Sequence, residues 1–513
     1  MALHRTKKSA STRVRAVVLT ALLSVCLGGN QKAAAEVPAG LDDFVRQYMK
    51  DHNVPGVSIT IVEGDRVTVR GYGVRSVDKP GAVDGDTVFM LASNSKPFTS
   101  ALAGIIVDDG KIGWDDHIMD KYPSFALHDM YATRQCTLRD LLAHRSGLPA
   151  FYGDCLEVIG FSRDEIMSKL KDIEPAWTFR EKDGYSNPGI TAAGVVAATL
   201  GGGTYESQMQ QRIFSPLGMT RTAIAVKSAD LVEGGNAAEA HMPLPGNKGS
   251  KVVPWDNPSP LAPAGAISTS GKDMGPWLRM QVNEGKLDGK QIISAKTIRE
   301  MHTPAMVAMP GFAELAPIDD NSGFSFALGW DVYHYQGYKI VEKAGARMGF
   351  RSSVTLIPEK KIGISVLANQ NMTVLPEAVR AYLMTAMVAP TDRDLQAEIR
   401  TSEEKLQKMF GAAAVSPPTN VHATSLPLEK YQGEYSNKLF GVVRVFAENG
   451  KLRWQAGPHK ITGSLEPIAY DTFLLSWPEG GISLPEEVTF TLAPAGYPSS
   501  LTTESFGVLT RVI

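Results

Sequence analysis

The stretch VFMLASNSKPFTSALAGIIVDDG, residues 88–110, places a serine between two apolar segments. Its first four residues are apolar, and its second half has helical character and stops at Gly110, a favourable residue for ending a helix. Ser93 and Lys96 are three positions apart, so on a helix they share one face and the lysine amine can reach the serine hydroxyl. A serine needs such a base to become a nucleophile. The stretch therefore predicts a strand–helix junction that carries a reactive serine.

The helix that begins near this serine would also stabilise negative charge. The first amides of a helix have no partner within it, so the Ser93 amide is available to an oxyanion. Pro97 is compatible with this arrangement, because a proline in the first helical turn removes no hydrogen bond.

Tyr185-Ser186-Asn187 is a second candidate for the site. A tyrosine beside a lysine can become a phenolate and act as a general base. Asn187 can donate a hydrogen bond to a substrate carbonyl and orient the lysine. The tripeptide alone is a weak signal, because it occurs again at Tyr435-Ser436-Asn437.

Lys343-Ala344-Gly345 is the third candidate, and we expect it to open an edge strand that faces the nucleophile. Lys343 supplies positive charge, and Gly345 lets the backbone approach a substrate closely. The amide of Ala346 can complete an oxyanion hole together with the amide of Ser93.

Taken in this order, the three patterns resemble the S-x-x-K, Y-x-N and K/H-x-G signatures of the serine β-lactamase and penicillin-binding superfamily. The resemblance covers roughly residues 40–390. Further stretches match the same family: TLRDLLAHRSGLP at 137–149, FSPLGM at 214–219, PAGA at 263–266 and GFR at 349–351. The chain looks closest to the class C-like esterases and peptidases, because its middle motif begins with Tyr instead of Ser.

The resemblance implies an α/β (α+β) fold, in which an antiparallel sheet is flanked by helices and contains an inserted helical region. It implies that Ser93 attacks the substrate and that Lys96 and Tyr185 shuttle the proton. The substrate-binding residues that it implies are Asn187, Lys343, Gly345 and Ala346. One position departs from the family pattern: Ala344 stands where β-lactamases and transpeptidases usually have Thr, whose hydroxyl helps to hold the substrate carboxylate. This departure weakens the expectation of efficient β-lactam or carboxypeptidase activity.

The pattern along the chain indicates the same fold and adds a second domain. Strand-like segments at 57–62 and 66–70, near the start, and at 353–357 and 362–368, near the end, enclose a helical region, so one sheet with a helical insertion is predicted. Short strands after residue 428, including a hairpin at Asn449-Gly450, predict a small barrel. The predicted domains are a signal peptide (1–35), a hydrolase domain (36–390), a helical and proline-rich linker (391–427) and a small β-barrel (428–513).

The first 35 residues have the character of an export signal. A basic start precedes an apolar run at 16–27 and the small residues Ala33-Ala34-Ala35, a pattern that a signal peptidase can cut. The run of about 12 residues is short for a membrane anchor, which needs about 20. We therefore predict a periplasmic or secreted protein. The alternative is a lipoprotein attached through Cys26.

The net charge of the chain argues against nucleic acid and anionic membranes as partners. Without residues 1–35 the chain has 46 basic and 54 acidic side chains, a net charge of −8. Such an acidic protein is a poor candidate for binding nucleic acid or an anionic membrane surface. No further segment is apolar over the length needed to span a bilayer, and the oligomeric state is left open. A small-molecule or peptide substrate is expected, and no metal or organic cofactor is implied.

Two cysteines remain after the signal, Cys136 and Cys155. They can pair in an oxidising compartment or stay as two separate buried thiols, and their spacing does not decide between these states.

The leading functional hypothesis is a serine hydrolase that forms an acyl-enzyme on peptide bonds, including those of D-residues, or on esters and amides. A β-lactamase or D,D-carboxypeptidase is an alternative within this chemistry. An alternative of another kind is a non-catalytic relative that only recognises cell-wall peptides. The β domain could itself be an interaction module or a cover over the cleft.

Overall fold

The computed structural model describes residues 34–224, 235–255, 258–308, 323–388, 394–411, 423–477 and 485–512. The predicted signal peptide, with Cys26, lies outside the described residues apart from Ala34 and Ala35. Parts of the predicted linker, at 391–393 and 412–422, also lie outside them.

The strands before residue 390 are, in chain order, β1 (Gly56–Glu63), β2 (Arg66–Gly73), β3 (Val88–Met90), β4 (Ala223–Ile224), β5 (Ala240–Pro243), β6 (Ser250–Val253), β7 (Ile267–Ser270), β8 (Lys286–Leu287), β9 (Lys290–Gln291), β10 (Met306–Val307), β11 (Ser325–Phe326), β12 (Asp331–Tyr335), β13 (Tyr338–Arg347), β14 (Phe350–Ile357) and β15 (Ile362–Ala368). The helices are α1 (Leu41–His52), α2 (Ser95–Asp108), α3 (Ile118–Lys121), α4 (Met130–Gln135), α5 (Leu138–Leu142), α6 (Cys155–Val158), α7 (Arg163–Lys169), α8 (Asn187–Leu200), α9 (Tyr205–Met209), α10 (Ser215–Leu217), α11 (Ala262–Gly265), α12 (Gly271–Val282), α13 (Ala295–Met301), α14 (Leu375–Met387) and α15 (Leu395–Gly411).

The main sheet has the order β10-β11-β12-β13-β14-β15-β1-β2, and its neighbouring strands are antiparallel. The hairpin β1–β2 turns at Gly64, which has a φ of +59°, as its sequence predicted. Because β1 pairs with β15, the first and last strands of the domain are neighbours near one edge of the sheet. The helical region between them is therefore an insertion, and the predicted fold class is confirmed.

Helices cover both faces of this sheet. Helix α12 packs across β1 and β15 on one face, and α1 packs on α14, which covers β14 and β15 on the other. Two buried ion pairs join α14 to the sheet: Arg351 pairs with Glu377, and Arg380 pairs with Glu342. These contacts hold β13 and β14 rigidly behind the candidate site.

The C-terminal strands are β16 (Gly433–Asn437), β17 (Gly441–Glu448), β18 (Lys451–Ala456), β19 (Ile461–Ala469), β20 (Thr472–Ser476), β21 (Glu486–Leu492), β22 (Pro498–Thr503) and β23 (Gly507–Arg511). They close into a barrel in chain order, because β16 pairs with β23. The turn Asn449-Gly450 joins β17 to β18 with both residues at positive φ, the geometry that this dipeptide favours. The predicted small barrel is confirmed.

The barrel packs on residues 152–161 of the first domain, here called the wall segment. The Tyr152 hydroxyl donates to the Phe506 carbonyl (3.4 Å), and the His459 amide donates to the Ile159 carbonyl (3.1 Å). Gly457 lies so close to Ile159 that a side chain at 457 would overlap the Ile159 backbone. The wall segment is thus held between the barrel and the candidate site.

Cys136 and Cys155 are both buried and unpaired, so the disulfide that the sequence left open is not formed. The Cys155 thiol instead lies 3.5 Å from the Ser505 carbonyl of the barrel. Burial raises the pKa of both thiols, which keeps them protonated. Among the described residues, no helix combines the length and hydrophobicity that crossing a bilayer requires.

Candidate active site

Ser93 lies where the sequence placed it, between a strand and a helix. Strand β3 ends at Met90, a 3-10 turn follows at Ala92–Asn94, and α2 begins at Ser95. Ala92 has a φ of +51°, an uncommon conformation for a residue with a side chain, and it turns the chain sharply just before the serine. The Ser93 side chain is held at the surface of the site by this strained turn.

Lys96 is the nearest base to the serine. Its Nζ donates to Ser93 Oγ (3.0 Å) and to the Ala264 carbonyl of α11 (3.0 Å). The side chain is fully buried, and this burial lowers the pKa of Lys96, an effect that nearby Lys343 increases and Tyr185 partly offsets. A lysine with a lowered pKa can accept the serine proton at neutral pH.

Tyr185 is buried beside two lysines. The Lys96 and Lys343 ammonium nitrogens lie 4.7 Å and 4.8 Å from the centre of its ring. Burial alone would raise the pKa of the Tyr185 phenol, but the positive charges of Lys343 and Lys96 and hydrogen bonds to Lys96 and Ser93 outweigh burial and lower it. Tyr185 is therefore equipped to exchange a proton with the serine or with water.

His144 and Phe151 hold the tyrosine in place. The His144 ring lies 4.4 Å from the Tyr185 ring, and its Nδ1 accepts the Ser186 amide (3.2 Å). Burial, followed by the charges of Lys343 and Lys96, lowers the pKa of His144 well below its usual value. A neutral histidine that accepts a backbone amide has the properties of a structural residue. The Phe151 amide donates to the Tyr185 carbonyl (2.9 Å), which ties the segment before the wall to the tyrosine.

Lys343, expected to supply positive charge to a substrate, is paired with a carboxylate of the protein. Its Nζ is bound to both carboxylate oxygens of Asp331 (2.9 and 3.0 Å), and the pair is buried. Although burial favours a neutral amine, Asp331 and Tyr185 raise the pKa of Lys343, so it stays charged. Its positive charge acts on Tyr185, while Asp331 takes two of its three N–H donors.

The Lys343-Ala344-Gly345 motif does not open an edge strand, which corrects that expectation. It lies in the second half of β13, an interior strand of the sheet. The pairing of β12 with β13 ends at Glu342, so the strand edge is open to the nucleophile only from Lys343 onward. From Lys343 onward β13 thus behaves as an edge strand, because its neighbour β12 does not extend that far.

Gly345 is required by the closeness of β13 to the nucleophile. A methyl group there would overlap the Leu91 carbonyl and the Ser352 hydroxyl and lie 3.2 Å from the Ser93 nitrogen. Ala346 follows on the open part of β13 and is exposed. The amides of Ser93 and Ala346 thus belong to two segments in close contact, an arrangement suited to an oxyanion hole.

Asn187 begins α8, and its contacts differ from those expected. Its Nδ2 donates to Asp154 Oδ2 of the wall segment (2.7 Å), whereas the hydrogen bonds of Lys96 go to Ser93 and Ala264. Burial raises the pKa of Asp154 to about 7; Asn187, Lys96 and Arg347 lower it in part, and Glu157 adds to the rise. Asp154 is therefore a carboxylate of the site that the sequence interpretation missed.

Sequence reasoning also missed a second ion pair, between Arg347 of β13 and Glu157 of α6. Asp331 could have been found from the sequence. Strands β12 and β13 form a hairpin that turns at Gln336-Gly337, and counting residues back from this turn places Asp331 opposite Glu342, the neighbour of Lys343. No local pattern marks Asp154 or Glu157, because their partners Asn187 and Arg347 are distant from them in the sequence. In the part of the chain that the structure describes, no group of three or more His, Cys, Asp or Glu side chains is arranged to hold a metal ion.

Comparison with known proteins supports this description. A family model described as Beta-lactamase matches residues 41–388, and one described as a domain of unknown function (DUF3471) matches residues 417–510. Unguisins hydrolase ungD' of Aspergillus campestris is 25% identical over 492 residues, which cover 89% of this chain and 87% of that protein. Penicillin-binding protein 4 of Amycolatopsis lactamdurans is 25% identical over 335 residues, which cover 62% of this chain and 82% of that protein.

Solved structures share the fold. The octameric penicillin-binding protein homologue from Pyrococcus abyssi has a TM-score of 0.58 and 20% identity and covers 92% of this chain and 99% of its own. SurE with D-Leu has a TM-score of 0.54 and 19% identity, with coverages of 92% and 99%. The β-lactamase model spans well over half of the chain, and the relatives include a hydrolase and a penicillin-binding protein. The chain belongs to the β-lactamase family of serine hydrolases and penicillin-binding proteins.

Proposed function

We propose that this protein is an exported serine hydrolase that cleaves peptide, ester or amide bonds through an acyl-enzyme. The observation that carries the proposal is that Ser93 Oγ lies 3.0 Å from Lys96 Nζ, while the Lys96 and Lys343 nitrogens both lie within 5 Å of the centre of the Tyr185 ring, at 4.7 Å and 4.8 Å. A hydroxyl next to a buried base with a lowered pKa has the properties of an activated nucleophile.

In the proposed reaction, Ser93 Oγ attacks the substrate carbonyl carbon and its proton passes to Lys96 and Tyr185. The tetrahedral oxyanion is held by the amides of Ser93 and Ala346. As the carbon–leaving group bond breaks, the leaving nitrogen or oxygen takes the proton. Water then attacks the ester of Ser93, Tyr185 accepts a proton from this water, and the acid and the free serine are released.

One relative supports hydrolysis as the reaction, and one structural neighbour supports a D-residue in the substrate. One relative is named as a hydrolase of unguisins, and one structural neighbour was solved with D-Leu. Peptide, ester and amide bonds all present the carbonyl that the serine attacks. Which leaving group is accepted depends on the parts of the cleft beyond Ser93, Lys96 and Tyr185.

A β-lactamase or D,D-carboxypeptidase is the second candidate, supported by the relationship to penicillin-binding protein 4. Those substrates carry a carboxylate. Lys343 is already paired with Asp331, and Ala344 supplies no hydroxyl, so the site offers little to hold that group. A non-catalytic recognition protein is the third candidate, and the intact set of Ser93, Lys96 and Tyr185 argues against it.

Export is proposed from the signal-like first 35 residues, with a periplasmic or secreted location. N-terminal sequencing of the protein from the culture medium or periplasm tests this, with a start near residue 36 expected. A blocked, lipid-modified Cys26 would instead support the lipoprotein.

The test of the activity is adduct formation. The protein and its Ser93→Ala variant are incubated separately with a fluorophosphonate and with a penicillin, and intact masses are measured. A phosphonate adduct that the variant lacks supports the hydrolase, and a stable penicillin adduct favours the second candidate. The absence of both adducts would contradict the proposal and favour the recognition protein.

A further inference from the structure

An ion pair between Arg347 and Glu157 joins strand β13 to the wall segment. Arg347 Nη2 lies 2.5 Å from Glu157 Oε1. The Glu157 side chain is buried, whereas 19% of the Arg347 side chain is exposed. The pair is therefore anchored in the protein on the side of the carboxylate and reaches solvent on the side of the guanidinium.

Arg347 lies on the face of β13 that is directed at the nucleophile. Residues two apart on a strand point to the same face, so Lys343, Gly345 and Arg347 share one. The Lys343 nitrogen lies 4.8 Å from the centre of the Tyr185 ring. A Cβ on Gly345 would lie 3.2 Å from the Ser93 nitrogen. Along this face, Arg347 therefore follows the positions that contact the tyrosine and the nucleophile.

The guanidinium is also close to the turn that carries Ser93. A Cβ on Gly265 of α11 would lie 3.8 Å from Arg347 Nη1 and 4.0 Å from the carbonyl carbon of Ala92. This carbon is bonded to the Ser93 nitrogen. The guanidinium and the turn of the nucleophile are thus close enough for a single methyl group to contact both.

The backbone is fixed at both ends of the ion pair. Strand β13 turns into β14 directly after Arg347, and the His241 amide of β5 donates to the Gly349 carbonyl in this turn (3.2 Å). At the other end, the wall segment that carries Glu157 packs on the barrel through Ile159. The ion pair is therefore a rigid connection between β13 and the wall segment.

The proton donors indicate which end of the cleft this connection closes. In the proposed reaction the leaving group takes its proton from Lys96 and Tyr185, and it therefore lies at the Lys343 end of the open part of β13. The acyl group then extends from Gly345 towards Arg347. Two residues of a strand rise about 7 Å, the length of about two extended residues of a substrate, and the guanidinium occupies part of this length.

We propose that the Arg347–Glu157 ion pair closes the acyl end of the cleft and limits the acyl group that Ser93 accepts to about the length of one residue. The enzyme then acts on short acyl groups and does not cleave within long chains. A longer acyl group has to separate an ion pair whose carboxylate is buried, which is unfavourable. This inference rests on the proposed serine hydrolase function.

The test varies the length of the acyl group and that of the alcohol separately. The substrates are p-nitrophenyl butanoate and octanoate on the one hand, and ethyl and octyl acetate on the other. They are assayed with wild type, the double variant Arg347→Ala/Glu157→Gln and the control Arg299→Ala, which breaks an exposed ion pair of α13. We expect wild type and the control to prefer butanoate over octanoate by about 10- to 100-fold in kcat/KM, and the double variant to bring this ratio within about threefold.

The ratio between the two acetates should be the same in all three proteins, because the alcohol lies at the other end of the cleft. Equal rates of wild type on butanoate and octanoate, or an unchanged preference in the double variant, would overturn the proposal. So would a change in the acetate ratio as large as the change in the acyl ratio. Arg347→Gln is a second variant with a shorter, uncharged side chain and should give an intermediate acyl ratio if circular dichroism shows the double variant to be unfolded. An acyl ratio equal to that of wild type would then overturn the proposal.

A binding measurement separates this inference from the proposed function. If no ester is hydrolysed, Ser93→Ala protein is titrated calorimetrically with butanoyl and octanoyl p-nitroanilide, with and without the additional changes Arg347→Ala/Glu157→Gln. Binding of the octanoyl compound only after the additional changes, with the butanoyl compound bound in both cases, supports the closed acyl end even when the hydrolase proposal has failed. Equal binding of the two compounds by Ser93→Ala, or binding of neither, would overturn the closed acyl end.

Discussion

We expect the contact between the barrel and the wall segment to keep the wall segment in its position beside the active site. The variant Gly457→Ala tests this expectation. A methyl group on Gly457 would overlap the Ile159 carbonyl and lie 2.5 Å from Ile159 Cβ. Carbon atoms pack best at about 3.5–4.0 Å, so the two segments have to separate by about 1 Å. The separation would also break the hydrogen bond from the His459 amide to the Ile159 carbonyl (3.1 Å).

Gly450→Ala is a matched control for this change. Gly450 and Gly457 lie in barrel turns with φ of +74° and +71°, so an alanine carries a similar backbone penalty of about 1–2 kcal/mol at either position. A methyl group on Gly450 meets nothing within 4 Å. The difference between the variants therefore isolates the contact with Ile159. Overpacking costs about 1–3 kcal/mol, and urea denaturation should show Gly457→Ala to be less stable than the control by this amount.

The functional consequence follows from the position of Asp154 in the same wall segment. A displacement of about 1 Å in a positioning element can lower a rate by about 100-fold. We expect kcat/KM of Gly457→Ala to fall by about 10- to 100-fold on a cleaved p-nitroanilide, while Gly450→Ala stays within about threefold of wild type. Equal stability and equal turnover of the two variants would refute the reasoning that the barrel positions the wall.

Three further changes test the site itself. Gly345→Ala should lower kcat by about 100-fold or more without loss of the fold by circular dichroism, because its methyl group overlaps the Leu91 carbonyl; a rate near that of wild type would contradict this. Asp331→Asn leaves the buried Lys343 ammonium without its carboxylate and should lower the free energy of unfolding at pH 7 by about 3–5 kcal/mol in urea denaturation; an unchanged stability would refute it. Burial raises the pKa of Asp154 from 3.8 to about 7, so the folded state binds this proton more tightly than the unfolded state, and the resulting stability is lost as the pH rises towards and through 7. Asp154→Asn should therefore be more stable than wild type by roughly 2–4 kcal/mol at pH 8 and by less at pH 5, and an equal difference at both pH values would count against the shift.

The parts of this site that could be predicted from the sequence depend on short-range patterns. Ser93 and Lys96 meet because three residues are close to one helical turn, and β1 and β2 pair because Gly64 permits a tight turn between alternating residues. The barrel was predictable for the same reason, from the Asn449-Gly450 hairpin and its neighbours. In each case the partners lie within a few residues of one another in the chain.

The missed residues depend on contacts that no local pattern encodes. Asp154 meets Asn187 across 33 residues, and Glu157 meets Arg347 across 190. Both carboxylates belong to the wall segment, which packs on the barrel. The expectation that β13 is an edge strand failed in a related way, because the open edge results from where β12 ends.

These long-range contacts change what the three motifs mean for a substrate. Read alone, Lys343 offers positive charge to an acidic substrate. In the folded protein Asp331 takes up that charge, and Glu157 does the same for Arg347. Asp154 differs from both of these carboxylates, because it bonds to the neutral amide of Asn187 and burial raises its pKa to about 7. The motifs thus predict the reaction of Ser93, whereas the carboxylates that surround them determine which charges of the site are already paired within the protein.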